Sequence, residues 1–253
     1  MEMALSWSGR RQTLYMGVAA VVAVVVFLWG YEAFLTTPSS CFNGKQDGNE
    51  LGVDCGGSCA LICPAQAHSP AVLWARAFNV GGDYYTAAAY VQNNNPGAGS
   101  RLVHYSFQLF DANNSLVIEK DGTAELPPVQ TIPLIEPNIN VGNRVVSKTL
   151  FAFSEEPVWE KVPASAYPRL KTTGQNLSPD ASRLSATVVN DTLQNAKNVT
   201  LAVVLFDQDG VARAASRSLI ASIPAKSSEP VVFTWPGGVP NIVKAEISIL
   251  PSF

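Results

Sequence analysis

Between Gln12 and Tyr31 the chain carries no charged residue, and the stretch from Leu14 to Trp29 is almost wholly apolar. About 20 such residues span a bilayer core of roughly 30 Å. A buried strand does not need that length, and the core helix of a soluble protein would show a polar face. Trp29 and Tyr31 sit where interfacial aromatics belong, Arg10 and Arg11 precede the run, and Glu32 follows it. The positive-inside rule therefore reads residues 1–11 as a cytoplasmic tail, 12–35 as a transmembrane helix and the rest as extracytoplasmic. A cleaved signal peptide is the competing reading. It fits less well, because its apolar region is usually shorter and Glu32–Pro38 offers no small-x-small cleavage site.

The cysteines agree with that topology. All four, Cys41, Cys55, Cys59 and Cys63, fall just beyond the apolar run. Clustered, even-numbered cysteines outside a membrane read as local disulfides, here two, with Cys41 bonded to Cys55 or Cys59. A four-thiolate zinc site is the alternative, but the spacing lacks paired Cys-x-x-Cys knuckles. Residues 36–66 thus form a Cys-rich stalk, too short to bury a core. Along it, Asn43, Asp47, Glu50 and Asp54 alternate with Gly44, Gly48 and Gly52. Hard cations take six to eight oxygens, so this set is a candidate calcium site, although not in EF-hand spacing. The alternative is that the four are turn residues whose side chains cap their own backbone.

The string from Cys41 to Cys63 resembles a motif, Cys-x-Asn-Gly followed by Gly-Val-Asp-Cys-Gly-Gly-x-Cys, that recurs in extracellular bacterial proteins beside anchors or adhesive repeats. The resemblance implies a surface-exposed, ion-stabilised module and no enzyme.

The remainder repeats itself. Tyr90-Val-Gln-Asn-Asn-Asn-Pro leads to Val103-His-Tyr-Ser-Phe-Gln-Leu-Phe-Asp, and Val188-Val-Asn-Asp-Thr leads to Val199-Thr-Leu-Ala-Val-Val-Leu-Phe-Asp. The offset, about one hundred residues, is one immunoglobulin-sized sandwich. Val199, Leu201, Val203 and Leu205 share a strand face. Ala202, Val204 and Phe206 make the opposite face apolar too, so it should be partly covered. Asp111-Ala-Asn-Asn and Asp207-Gln-Asp-Gly are hairpin signals, and strands are expected over 217–223, 230–235 and 242–250. The fold class is therefore mainly β: a transmembrane helix, a small disulfide-rich stalk and two tandem immunoglobulin-like β-sandwiches, 67–174 and 175–253. Gly174–Ser182 reads as the hinge between them. Phe107-Gln-Leu-Phe-Asp and Val203-Val-Leu-Phe-Asp, each behind an Asn, resemble the FxLYD family of extracytoplasmic β-sandwiches, which implies that fold and no particular activity.

No catalytic constellation stands out. There is no nucleophile elbow and no phosphate loop; His68 lies in a linker, His104 reads as a sheet-surface residue, and the Glu155-Glu156 pair is read as solvated. A net charge of −3 excludes a basic footprint for nucleic acid. Trp74, Trp159 and Trp235 are core residues or a platform for sugar or protein. Asn113, Asn176, Asn190 and Asn198 lie in Asn-x-Ser/Thr triplets. The expectation is a non-catalytic, membrane-anchored surface protein, structural or binding, whose partners are the bilayer and an envelope protein or glycan. The alternative is an accessory subunit of an envelope, secretion or surface-filament complex.

Overall fold

The structure, a computed structural model, describes residues 7–35, 40–128, 130–163 and 169–250 of the 253. The expected tail residues 1–6 and stalk residues 36–39 lie outside these. The chain falls into two compact units, Met1–Asp54 and Cys55–Phe253.

The first unit contains α1 (Trp7–Leu35) and the loop Cys41–Asp54. Its segment Arg11–Glu32 is long and apolar enough to cross a membrane, and none of it is buried within the protein. The helix begins before residue 12, so Arg10 and Arg11, expected in the cytoplasmic tail, belong to its first turns. Nothing breaks it, because Gly17 and Gly30 are isolated and no proline interrupts.

The second unit holds thirteen strands among the described residues. The first sandwich opposes two sheets. One orders β1 (Ala71–Gly81), β2 (Tyr84–Gln92) and β5 (Thr131–Asn140) as β1-β2-β5. The other orders β4 (Leu116–Leu126), β3 (Ala98–Phe110) and β6 (Lys148–Phe153) as β4-β3-β6, with the short β7 (Glu160–Lys161) also on β3. The second sandwich repeats the plan. One sheet, β8-β9-β12, is built from β8 (Leu170–Leu177), β9 (Arg183–Asn190) and β12 (Ser227–Thr234). Its partner sheet is β11-β10-β13, from β10 (Ala196–Asp207), β11 (Ala212–Ile223) and β13 (Ile242–Leu250). Six strands of each repeat correspond one for one, so the internal similarity of the sequence is a similarity of topology.

Period-two patterning places the cores. Val103, Tyr105, Phe107 and Leu109 of β3 point into the first, and Val199, Leu201, Val203 and Leu205 of β10 into the second. The opposite face of β10 is covered, as its apolar side chains require. Ala202 and Val204 join Ala88, Ile135, Ala212 and Ala215 in a third buried cluster between the sandwiches, flanked by Trp74, Phe78, Tyr90, Phe206 and Leu250.

Two boundaries differ from expectation. The 174/175 border falls inside β8, which pairs with β9 and so opens the second sandwich. Gly174–Ser182 is not a hinge: Gly174 supplies the positive φ of a bulge in β8, and the turn after it is pinned. There the Asp180 carboxylate accepts from the Ser178 hydroxyl and from the Ser182 amide and hydroxyl. These bonds, the Ser178 hydroxyl foremost, hold its pKa at about 2. The expected stalk is also divided. Residues 55–66 belong with the sandwiches, because Leu61 bridges Glu160 and the Ile62 amide donates to the Trp159 carbonyl at 2.9 Å.

Candidate functional site

The oxygen-rich loop closes on itself. The Asp54 carboxylate accepts from the amides of Asn43 and Gly44, both at 2.9 Å. The Asn43 side chain donates to Asp47 at 2.7 Å and accepts from the Lys45 amide at 2.9 Å. Glu50, buried, takes the Asp47 and Asp54 amides at 3.2 and 3.3 Å. Positive φ at Gly44, Gly48 and Asp54 makes these short approaches possible. Asn43, Asp47, Glu50 and Asp54 are thus brought together, and the oxygens accept main-chain N–H groups. That is the capping chemistry of Asx-type turns, and it accounts for the loop's shape from its own residues.

Every cysteine is in a disulfide. Cys55 and Cys63 form one bridge, and Cys41 and Cys59 are disulfide-bonded as well. No thiolate is left to ligate zinc.

The repeated motif residues turn out to be clasps. Asp111 accepts from the Asn113 and Ser115 amides and pairs with Arg144 at 2.6 Å; Asp207 accepts from Asp209 and Val211 and pairs with Arg213 at 2.5 Å. Each aspartate therefore folds the hairpin that follows it. Arg144 chiefly, then the Ser115 amide, pulls the Asp111 pKa down; for Asp207 the Val211 amide leads. The Asn at the end of each second strand is a buried staple. Asn93 donates to the carbonyls of Ala98 and Pro127, and Asn190 to those of Gln194, Ile223 and Pro224. The side-chain nitrogen of Asn190 is thereby committed inside the fold, although it lies in an Asn-x-Thr triplet.

Between the sandwiches lies a cleft of about 350 Å³ with Arg101, Tyr105, Glu125, Thr200, Arg217 and Leu250 on its walls. At its base the Tyr105 hydroxyl donates to Glu136 Oε1 at 2.9 Å, and Arg217 Nη1 stands 3.9 Å from the same oxygen. Burial first, then the Glu136 carboxylate, drives the Tyr105 pKa upward, so the phenol stays a proton donor at neutral pH. Gly122 permits the approach: a Cβ there would lie 2.5 Å from the Tyr105 ring and 2.6 Å from Glu136 Oε1. A second phenol–carboxylate pair joins the sandwiches nearby, Tyr90 to Glu246 at 2.8 Å, with Lys244 on the far side of Glu246. Trp74 stacks on Tyr90 at 4.9 Å.

Sequence reasoning missed Glu136. The signal was a lone carboxylate in the apolar run Thr131–Ile139, where the second repeat places the core residue Phe233. Trp159 and Trp235 are core residues, while Trp74 flanks the cluster between the sandwiches. His104 is exposed and 3.7 Å from Glu155. Asn113, Asn176 and Asn198 are exposed.

No protein-family profile matches the chain, and no curated protein matches it. Among solved structures the chain is similar to the red sea bream transglutaminase at 10% identity, over 72% of this chain and 29% of that one, with a TM-score of 0.24.

Proposed function

We propose that this chain is a membrane-anchored cell-surface protein, structural or binding and without catalytic activity, with its N-terminus in the cytoplasm and its paired sandwiches outside. The observation that carries the reading is α1: an unbroken apolar helix whose membrane-length segment is nowhere buried in its own protein. A helix with no polar face and no protein cover is compatible with lipid, not water. Oxidation of all four cysteines supports an extracytoplasmic compartment for the chain beyond α1. The resemblance of both repeats to FxLYD sandwiches fits a surface module. At the cleft, Tyr105 donates to Glu136 and Arg217 of the other sandwich approaches the same carboxylate, contacts that join the two repeats. The partner outside is an envelope protein or a glycan.

Protease added to cells with permeabilised outer layers should degrade residues 55–253 and leave a short membrane-bound fragment containing α1. Full protection, with a cytosolic control also protected, would reverse the orientation. A mature N-terminus beyond Leu35 would make the helix a signal sequence.

A further inference from the structure

The loop Cys41–Asp54 is built inside out. Its carboxylates turn inward: Glu50 is buried and takes the Asp47 and Asp54 amides, Asp54 is half-buried against the Asn43 and Gly44 amides, and Asp47 is half-buried with the Asn43 side chain and the Ser40 amide donating to it. Its large apolar side chains turn outward, with Phe42 85%, Leu51 61% and Val53 56% exposed. A single exposed apolar residue on a soluble protein needs no explanation. Here every apolar side chain of the loop other than its cysteine is outside, and its most covered side chains are the carboxylates of Glu50, Asp47 and Asp54. That arrangement suits an apolar boundary, not bulk water.

The chain itself says which boundary. Phe42 follows Leu35, the end of α1, by seven residues, a reach of at most about 25 Å when fully extended. The headgroup zone of each leaflet is about 5–8 Å deep, so the loop is tethered within reach of the membrane surface. Aromatic and aliphatic side chains partition to the boundary of headgroups and acyl chains, and a lysine such as the exposed Lys45 keeps its ammonium among the headgroups. Because the carboxylates accept from amide groups of the loop and of Ser40, they are engaged within the protein and not presented to the lipid.

We infer that the Cys41–Asp54 loop rests on the bilayer, with Phe42, Leu51 and Val53 entering the headgroup–acyl boundary as a second membrane contact beside α1. The inference depends on the anchor reading above.

The test places the full-length protein in phosphatidylcholine nanodiscs containing a lipid with a photoactivatable group near the top of its acyl chain. Adducts are mapped by mass spectrometry after irradiation. Adducts in α1 and in Cys41–Asp54, with none around the equally exposed Leu193 of the second sandwich, are expected. Adducts in α1 but not in the loop overturn the inference and leave the anchor standing. Adducts in neither overturn both, and labelling around Leu193 as strong as in the loop overturns the inference. The variant combining Phe42→Ser, Leu51→Ser and Val53→Ser should lower loop adducts about tenfold or more while leaving those in α1 unchanged. Undiminished loop labelling in that variant, with an unaltered near-UV spectrum, would also overturn it.

Discussion

Asn190→Asp is nearly isosteric, so it isolates what the amide nitrogen of Asn190 contributes. The side chain is fully buried, and Nδ2 faces the carbonyls of Gln194 at 2.8 Å and of Ile223 and Pro224, each at 3.1 Å. Its oxygen accepts from the Thr192 hydroxyl and amide, and aspartate keeps those two bonds. The replacement turns a donor shared among three carbonyls into an acceptor pointing at them. Losing donors to buried carbonyls costs about 1–3 kcal/mol, and placing a charge there adds to it. A destabilisation of about 3 kcal/mol, or about 10 °C in Tm for a unit of this size, is expected at pH 8. Repulsion from the carbonyls raises the folded-state pKa of the new carboxyl above its unfolded value of about 3.9. The charge penalty is therefore absent below the unfolded pKa, grows as pH rises, and is complete above the folded pKa. Thermal melts followed by near-UV circular dichroism between pH 4 and 8 measure this. A variant within about 0.5 kcal/mol of the parent at pH 8, or a gap that does not narrow on acidification, would refute the reasoning.

Gly122→Ala should destabilise the first sandwich by about 1–3 kcal/mol, because its Cβ would meet the Tyr105 ring and Glu136 Oε1; an unchanged denaturation midpoint would contradict that packing. The Asp207 carboxyl titrates below its ordinary range when folded, so its stabilising contribution is present above its unfolded pKa and lost as pH falls through the folded one. Asp207→Asn should accordingly flatten the acid limb of a stability-versus-pH curve, and an unaltered slope would count against the clasp. Asp54→Ala removes the acceptor for the Asn43 and Gly44 amides, so hydrogen exchange at both should accelerate with chelator present. Acceleration seen only in calcium would instead place an ion in the loop.

Periodicity made much of this readable in advance. The apolar run gave α1, and the nearly equal spacing of Asn93 to Asp111 and Asn190 to Asp207 gave two sandwiches of one plan. The apolar second face of β10 foretold that something would cover it. The covering partner was not legible, because Ala88 and Ile135 lie on strands whose own two-faced burial appears only once the sandwiches are docked. The border was misplaced because β8, Leu-Lys-Thr-Thr-Gly-Gln-Asn-Leu, is polar and exposed along most of its length, and turn-forming residues in an edge strand look like a linker. In the loop, residue types showed oxygens gathering around a centre. Only geometry shows that backbone amides donate to those oxygens.

The cluster of Ala88, Ala202, Ala212 and Ala215 with Ile135 and Val204 has a mechanical consequence. Small side chains let the two β-layers approach closely, and the packed face lies directly between the two sandwiches. A load that pulls one repeat past the other must therefore shear this packed alanine face. Such a joint yields abruptly, as a unit, whereas beads on a string would extend one at a time.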